Sequence, residues 1–133
     1  MKVIWTNGCF DILHRGHVEM FKYAKSLGDK LVVGIDSDKK VREDKGDMRP
    51  INNQDDRKFL LESIKWVDRV NVFNTQQELE NMIQYTEPDI MIIGSDWEGK
   101  NIVGQQYAKK VIFFDRVGDY STSNIIKKQG DKL

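Results

Sequence analysis

The chain has 133 residues, 39% of them apolar and 32% charged, with 21 basic and 21 acidic side chains and one cysteine. A chain of this length is expected to form one domain, residues 1–133, with a real core and no need of staples. Zero net charge excludes a dedicated nucleic-acid or membrane-surface binder, which needs a basic excess, and a lone Cys9 excludes an internal disulfide framework. No apolar run approaches the roughly 18 residues of a membrane span. The opening Met1-Lys2-Val3-Ile4-Trp5 enters a strand-like pattern at once, without the look of a leader. The composition therefore predicts a small cytoplasmic protein.

In chain order, Val3-Ile4-Trp5 reads as a first strand. A helix is expected from Val18 to Leu27, with Met20, Phe21, Ala24 and Leu27 on one face and Gly28 as its stop. Leu31 to Ile35 reads as a second strand. From Ser37 to Asn53 the chain carries Lys39, Lys40, Arg42, Lys45 and Arg49 with almost no apolar residue. It reads as a polar loop of about 15 residues, a length that tends to be functional or mobile. Asp55 to Val67 has Phe59, Leu60, Ile64 and Val67 at helical spacing, and Val70 to Phe73 reads as a strand. Gln76 to Tyr85 repeats Leu79, Met82 and Ile83, and Pro88 ends it. Ile90 to Ile93 and Val111 to Phe114 complete five strands, most of them continuously apolar, as strands buried on both faces are. Ser121 or Thr122 would cap a further helix, and residues 129–133 would fray. Strands alternating with helices predict an α/β fold: a Rossmann-like open parallel five-stranded sheet with helices on both faces.

The first strand ends in Thr6-Asn7-Gly8-Cys9-Phe10-Asp11-Ile12-Leu13-His14-Arg15-Gly16-His17. Open α/β sheets bind ligands at the carboxyl ends of their strands. Both histidines of the chain fall there, at the entry to a helix whose N-terminus favours an anion. Gly16 would let a phosphate approach the backbone, and His14 and His17 can each donate a ring N–H to phosphate oxygens. There is no Ser-His-Asp constellation, no nucleophilic Cys-His pair and no Cys/His metal spacing. The first strand is not followed by the Gly-x-Gly-x-x-Gly turn of a dinucleotide-binding protein.

Gly8, Phe10, Asp11, Leu13, His14, Gly16 and His17 together resemble the signature of the His-x-Gly-His nucleotidylyltransferase superfamily. Arg116-Val117-Gly118-Asp119-Tyr120-Ser121-Thr122-Ser123 resembles a triphosphate-binding run of cytidylyltransferases and of the ADP-heptose synthase adenylyltransferase domain, although residues 117–119 depart from the cytidylyltransferase version. Gly94-Ser95-Asp96-Trp97-Glu98-Gly99 resembles a segment of glycerol-3-phosphate cytidylyltransferases. Lys45-Gly46-Asp47-Met48-Arg49-Pro50 resembles a loop of the heptose branch, and Asn101-Ile102-Val103-Gly104 does so again. Asp56-Arg57-Lys58-Phe59-Leu60-Leu61 resembles a helix that brings an arginine to the triphosphate.

The resemblance implies His14, His17, Lys45 and Arg57 as catalytic residues. It implies Asn7, Gly8, Cys9, Phe10, Asp11, Gly16, Gly94, Asp96, Trp97, Arg116, Tyr120, Ser121, Thr122 and Ser123 on the nucleotide, with Asp38, Lys45 and Arg49 on the acceptor. The expected reaction moves a nucleoside monophosphate from a nucleoside triphosphate to a small phosphorylated acceptor, with release of pyrophosphate. The acceptor phosphate is already an anion, so alignment and charge stabilisation suffice. Mg²⁺ would accompany the triphosphate, held mainly by its oxygens, with no protein metal site. CTP with an acceptor such as glycerol 3-phosphate is the favoured pair, ATP with a heptose 1-phosphate the alternative. A catalytically inactive nucleotide sensor is a reading of another class. A homodimer is implied by resemblance alone.

Overall fold

The structure, a computed structural model, describes residues 1–115. Its elements are β1 (Val3–Gly8), α1 (Arg15–Ser26), β2 (Lys30–Asp36), α2 (Asp38–Lys45), α3 (Gln54–Glu62), β3 (Arg69–Phe73), α4 (Gln76–Thr86), β4 (Ile90–Gly94) and β5 (Lys110–Phe114). The five strands form one sheet in the order β3-β2-β1-β4-β5, and every pairing is parallel. The chain builds outward from β1 to β3, then returns to lay β4 on the free edge of β1. The carboxyl ends of β1 and β4 therefore flank the switch point, where such sheets open a crevice for ligands.

Side chains alternate between two cores along each strand, as the period of two requires. On one face, Phe21 and Ala24 of α1 and Leu61 of α3 pack on Ile4, Leu31, Val33, Ile35, Ile90 and Ile92. On the other, Leu79 and Ile83 of α4 pack on Trp5, Val32, Met91 and Ile93. Trp5 lies across Gly34 of the neighbouring strand, where a Cβ would come within 2.7 Å of its ring. The central strands β2 and β4 are buried over nearly their whole length, and the edge strands β3 and β5 only in part. Among the described residues no helix is long and apolar enough to cross a membrane.

Three expectations change. α1 begins at Arg15, three residues before Val18, because His14 caps it. α3 stops at Glu62 rather than Val67, where the Ser63 N–H closes back on the carbonyls of Phe59 and Leu60. Its inward face is Arg57 and Leu61, one turn apart, while Phe59 is 69% and Leu60 44% exposed. The stretch from Ser37 to Asn53 is not one polar loop, since it contains α2. Ser37 caps that helix by accepting the Lys40 N–H at 3.2 Å, Val41 anchors it in the interior, and Gly46 ends it at φ 96° with its N–H on the Arg42 carbonyl. One buried side chain in the helix leaves no apolar periodicity to read. The helix expected at Ser121 or Thr122 and the tail at 129–133 lie outside the described residues. So do Arg116, Tyr120, Ser121, Thr122 and Ser123.

Candidate active site

His14 and His17 cap α1 reciprocally. His14 Nδ1 accepts the Gly16 N–H at 3.1 Å, and His17 Nδ1 accepts the His14 N–H at 3.3 Å. The rings stack with centroids 3.7 Å apart, 22° from parallel. Because each Nδ1 accepts from the backbone, each neutral ring carries its proton on Nε2. The pair is thus fixed as two parallel N–H donors. Burial, with the neighbouring His14 charge second, pushes the His17 pKa down to about 3. His17 is therefore a neutral donor at pH 7, not a cation. The Gly16 N–H, expected on a phosphate, is engaged by His14 in this structure.

Phe10 was expected on the nucleotide, yet its side chain belongs to the core. It is 7% exposed and meets the edge of His17 at 5.1 Å and Phe21 at 5.2 Å. Its φ of 51° is a strained conformation for a bulky residue. The turn survives because the next residue is held from several sides. Asp11 accepts from the Ile51 N–H and the Asn52 N–H at 2.8 Å and from Arg49 Nε at 3.0 Å, while the Asn52 side chain donates to the Asp11 carbonyl. Burial alone would raise the Asp11 pKa, but these backbone and guanidinium donors outweigh it and hold the carboxyl below its ordinary range. Asp11 is a structural pin rather than a nucleotide contact. Arg49, expected on the acceptor, has its Nε committed to that pin.

Arg57 departs furthest from expectation. It is 1% exposed, so it offers no surface to a triphosphate. Its guanidinium donates to the carbonyls of Asn52 at 3.0 Å, Cys9 at 2.9 Å and Asp36 at 2.7 Å, and to Asp38 Oδ1 at 2.9 Å. Asp38, expected on the acceptor, is turned to Arg57. A buried arginine persists only where its charge and donors are matched in this way.

A cavity of about 420 Å³ opens beside this framework. Asn7, Gly8 and Cys9 at the end of β1 and Gly94 at the end of β4 form part of its wall, together with Asp36, Lys40, Asp44 and Lys45 from β2 and α2. Phe73, Leu79, Ile93 and Ile102 supply an apolar floor, and Trp97 and Asn101 stand at its rim. A Cβ on Gly94 would meet nothing within 4 Å, so that strand end faces open space. Asn7 accepts the indole N–H of Trp5 at 2.9 Å, which fixes its amide. Burial pushes the Cys9 thiol up, leaving it protonated and a poor nucleophile. Trp97 is 53% exposed, with Lys100 over its ring. Asp96, beside it, is exposed and is not part of this wall.

Lys45 is exposed and lies on the cavity wall. Asp36, Lys40 and Asp44 were not foreseen as site residues. Lys40 Nζ lies 3.6 Å from Asp36 and 2.6 Å from Asp44. Burial opposes the Lys40 charge, but the two carboxylates outweigh it and raise its pKa. Burial raises that of Asp36, against the pull of Lys40. The regular spacing 36, 40, 44 was the available signal, hidden because the segment reads as a loop. Among the described residues no three His, Cys, Asp or Glu side chains converge on a point where a metal ion would be held.

The cytidylyltransferase-like family model matches residues 5–128. The chain is 46% identical over 126 residues to "Bifunctional protein HldE" of Campylobacter fetus subsp. fetus (strain 82-40), covering 95% of this chain and 27% of that protein. It is 47% identical over 130 residues to the protein of the same name from Campylobacter concisus (strain 13826), covering 98% and 27%. It thus spans about a quarter of the length of these curated relatives. Among solved structures, the lipopolysaccharide core biosynthesis protein from Thermoplasma volcanium GSS1 superposes with a TM-score of 0.67 at 28% identity, over 91% of this chain and 99% of that one. With a paired-histidine helix cap beside the switch point of a five-stranded parallel sheet, this chain belongs to the cytidylyltransferase-like family of nucleotidyltransferases.

Proposed function

We propose that the chain transfers AMP from ATP to the phosphate of a sugar 1-phosphate of the heptose type and releases pyrophosphate. The observation that carries this reading is the composition of the cavity beside β1. Asp36 and Asp44 can accept from sugar hydroxyls, Lys40 and Lys45 suit a phosphate, and Trp97 offers a ring to apolar sugar C–H groups. The 45–47% identity to proteins named HldE supports the same branch.

In the reaction, an oxygen of the acceptor phosphate attacks the α-phosphorus, the bond to the β-phosphate oxygen breaks, and pyrophosphate leaves with the electron pair. The Nε2–H groups of His14 and His17 donate to the phosphate oxygens, where charge builds in the transition state. Their Nδ1 atoms are held by backbone N–H groups, so the donors are oriented before substrate arrives. Lys45, exposed at the end of α2 on the cavity wall, adds positive charge. Mg²⁺ would enter on the triphosphate as part of the substrate.

Pyrophosphate release from ATP and CTP against a heptose 1-phosphate and glycerol 3-phosphate tests the proposal. ATP with the heptose phosphate should give the highest kcat/KM. The Asp96-Trp97-Glu98-Gly99 run favours the second reading, CTP with glycerol 3-phosphate, and a roughly tenfold advantage for that pair would establish it instead. No release with any pair would leave the inactive sensor. The homodimer implied by resemblance has a surface available in Phe59, Leu60 and Ile51, all exposed. Phe59→Ser should then sediment as a smaller species than the unaltered chain, and identical sedimentation would remove that face from consideration.

A further inference from the structure

We propose that Arg57 is a positioning residue that holds the acceptor cavity in register with the turn that carries the histidines. The inference rests on the nucleotidyl-transfer reading and adds to it a role for a group that cannot touch substrate.

The four acceptors of Arg57 lie on three stretches of chain: Cys9, residues 36–38 and Asn52. The Cys9 carbonyl opens the turn that ends at His14, and the Asp36 carbonyl closes β2 at the cavity wall. Asp38 lies in the first turn of α2, the helix that carries Lys40 and Lys45, and the Asn52 carbonyl precedes α3. No backbone hydrogen bond ties Cys9 to α2 directly, among those described. The guanidinium is thus a single rigid plane to which both sides of the site are fastened. The Asp11–Arg49 pair closes the loop from the other direction, because Asp11 follows the Cys9-Phe10 step and binds residues 49, 51 and 52. One ion pair, Asp11–Arg49, therefore joins the histidine turn to the segment after α2, and the other, Arg57–Asp38, joins α3 to α2. Lysine cannot replace arginine here, since one ammonium cannot reach four acceptors set around a planar fork.

The consequence is kinetic as well as structural. If Arg57 sets the position of α2 relative to β1, its loss should displace Lys40, Lys45 and Asp36 from the acceptor while the histidine cap, closed within α1, keeps its donors. Arg57→Lys should then raise the acceptor KM by about tenfold or more and change the KM for the nucleotide by less than about twofold. A nucleotide KM that rises as much as the acceptor KM would overturn the proposal in favour of direct triphosphate contact. Unchanged constants would overturn it altogether. Should Arg57→Lys fold poorly, Asp38→Asn leaves the three carbonyl acceptors in place and should show the same split at a few-fold size. An unaltered Asp38→Asn variant would count equally against the idea. If the unaltered chain transfers no nucleotide at all, the transfer reading fails on its own. Hydrogen exchange then decides: in Arg57→Lys the amides of 9–13 and 36–45 should exchange faster together while those of α4 do not, and loosening of one segment alone would overturn the coupling.

Discussion

In the turn between β1 and α1, polar side chains satisfy one another's backbone: two imidazoles cap a helix, and one carboxylate gathers the backbone N–H groups of a distant loop. Along α2 the charged groups pair with one another on one wall of a cavity, and Lys40 is shared between two carboxylates. The first region is preorganised, with its donors fixed before anything binds. The second is poised, with charges that hold each other until a ligand supplies better partners. Catalytic groups gain from the first arrangement, because reorientation at the moment of reaction would add to the barrier. Recognition groups suit the second, because mutual neutralisation keeps a charged wall tolerable when empty.

The largest effect should come from breaking the preorganised side. His14→Ala and His17→Ala each remove one fixed donor, which typically costs about 3–4 kcal/mol or roughly 10²–10³ in turnover. Nucleotide affinity, measured by calorimetry, should change far less than turnover. Near wild-type turnover in either variant would mean that the caps are only caps.

A smaller effect separates the two regions by pH. His17 takes up a proton near pH 6.5 when unfolded and only at about 3 when folded. Between those values the unfolded state binds more protons, so stability is fully present above pH 6.5 and is lost as pH falls. At pH 5 the loss is about 2 kcal/mol, from 1.36 kcal/mol per unit over one and a half units. Asp11 contributes in the same direction only below the ordinary carboxylate range, near 3.8, because its folded pKa is depressed. Urea midpoints from pH 7 to pH 5 should fall for the unaltered chain and stay flatter for His17→Gln. Parallel curves would show that His17 titrates normally.

The two regions also differ in how much of them the sequence displays. The parallel sheet follows from apolar runs bounded by glycines and prolines, and His14, Gly16 and His17 stand close together because one helix entry holds them all. What could not be read is what depends on a long-range partner. Arg57 looks like a surface helix residue beside Asp56 and Lys58, and only the carbonyls of Cys9, Asp36 and Asn52 make it a buried one. Phe59 and Leu60 have the spacing of a core face, yet the helix is rotated so that Leu61 enters the core instead. α2 hides because its charges, which usually mark a solvated loop, pair along one side of a cavity.

The smallest effect on stability, and the sharpest test of the poised wall, belongs to Asp36→Asn. Burial raises the Asp36 pKa above its unfolded value, so at neutral pH the ionised carboxylate weakens the fold, and that penalty is relieved as pH falls through the raised value. Asparagine removes the penalty. Lys40 loses its contact at 3.6 Å but keeps Asp44 at 2.6 Å. These opposing changes should leave stability within about 1 kcal/mol of the unaltered chain, as for a substitution that leaves no buried charge unpaired. Acceptor recognition should respond more, because a hydroxyl donating to a carboxylate makes a stronger bond than one donating to an amide. An acceptor KM raised about tenfold, or 1.4 kcal/mol, with the nucleotide KM unmoved, is the expected result in pyrophosphate-release assays. A variant that is more stable and keeps its acceptor KM would show that Asp36 serves Lys40 alone, and the sugar would then have to be read by other parts of the cavity.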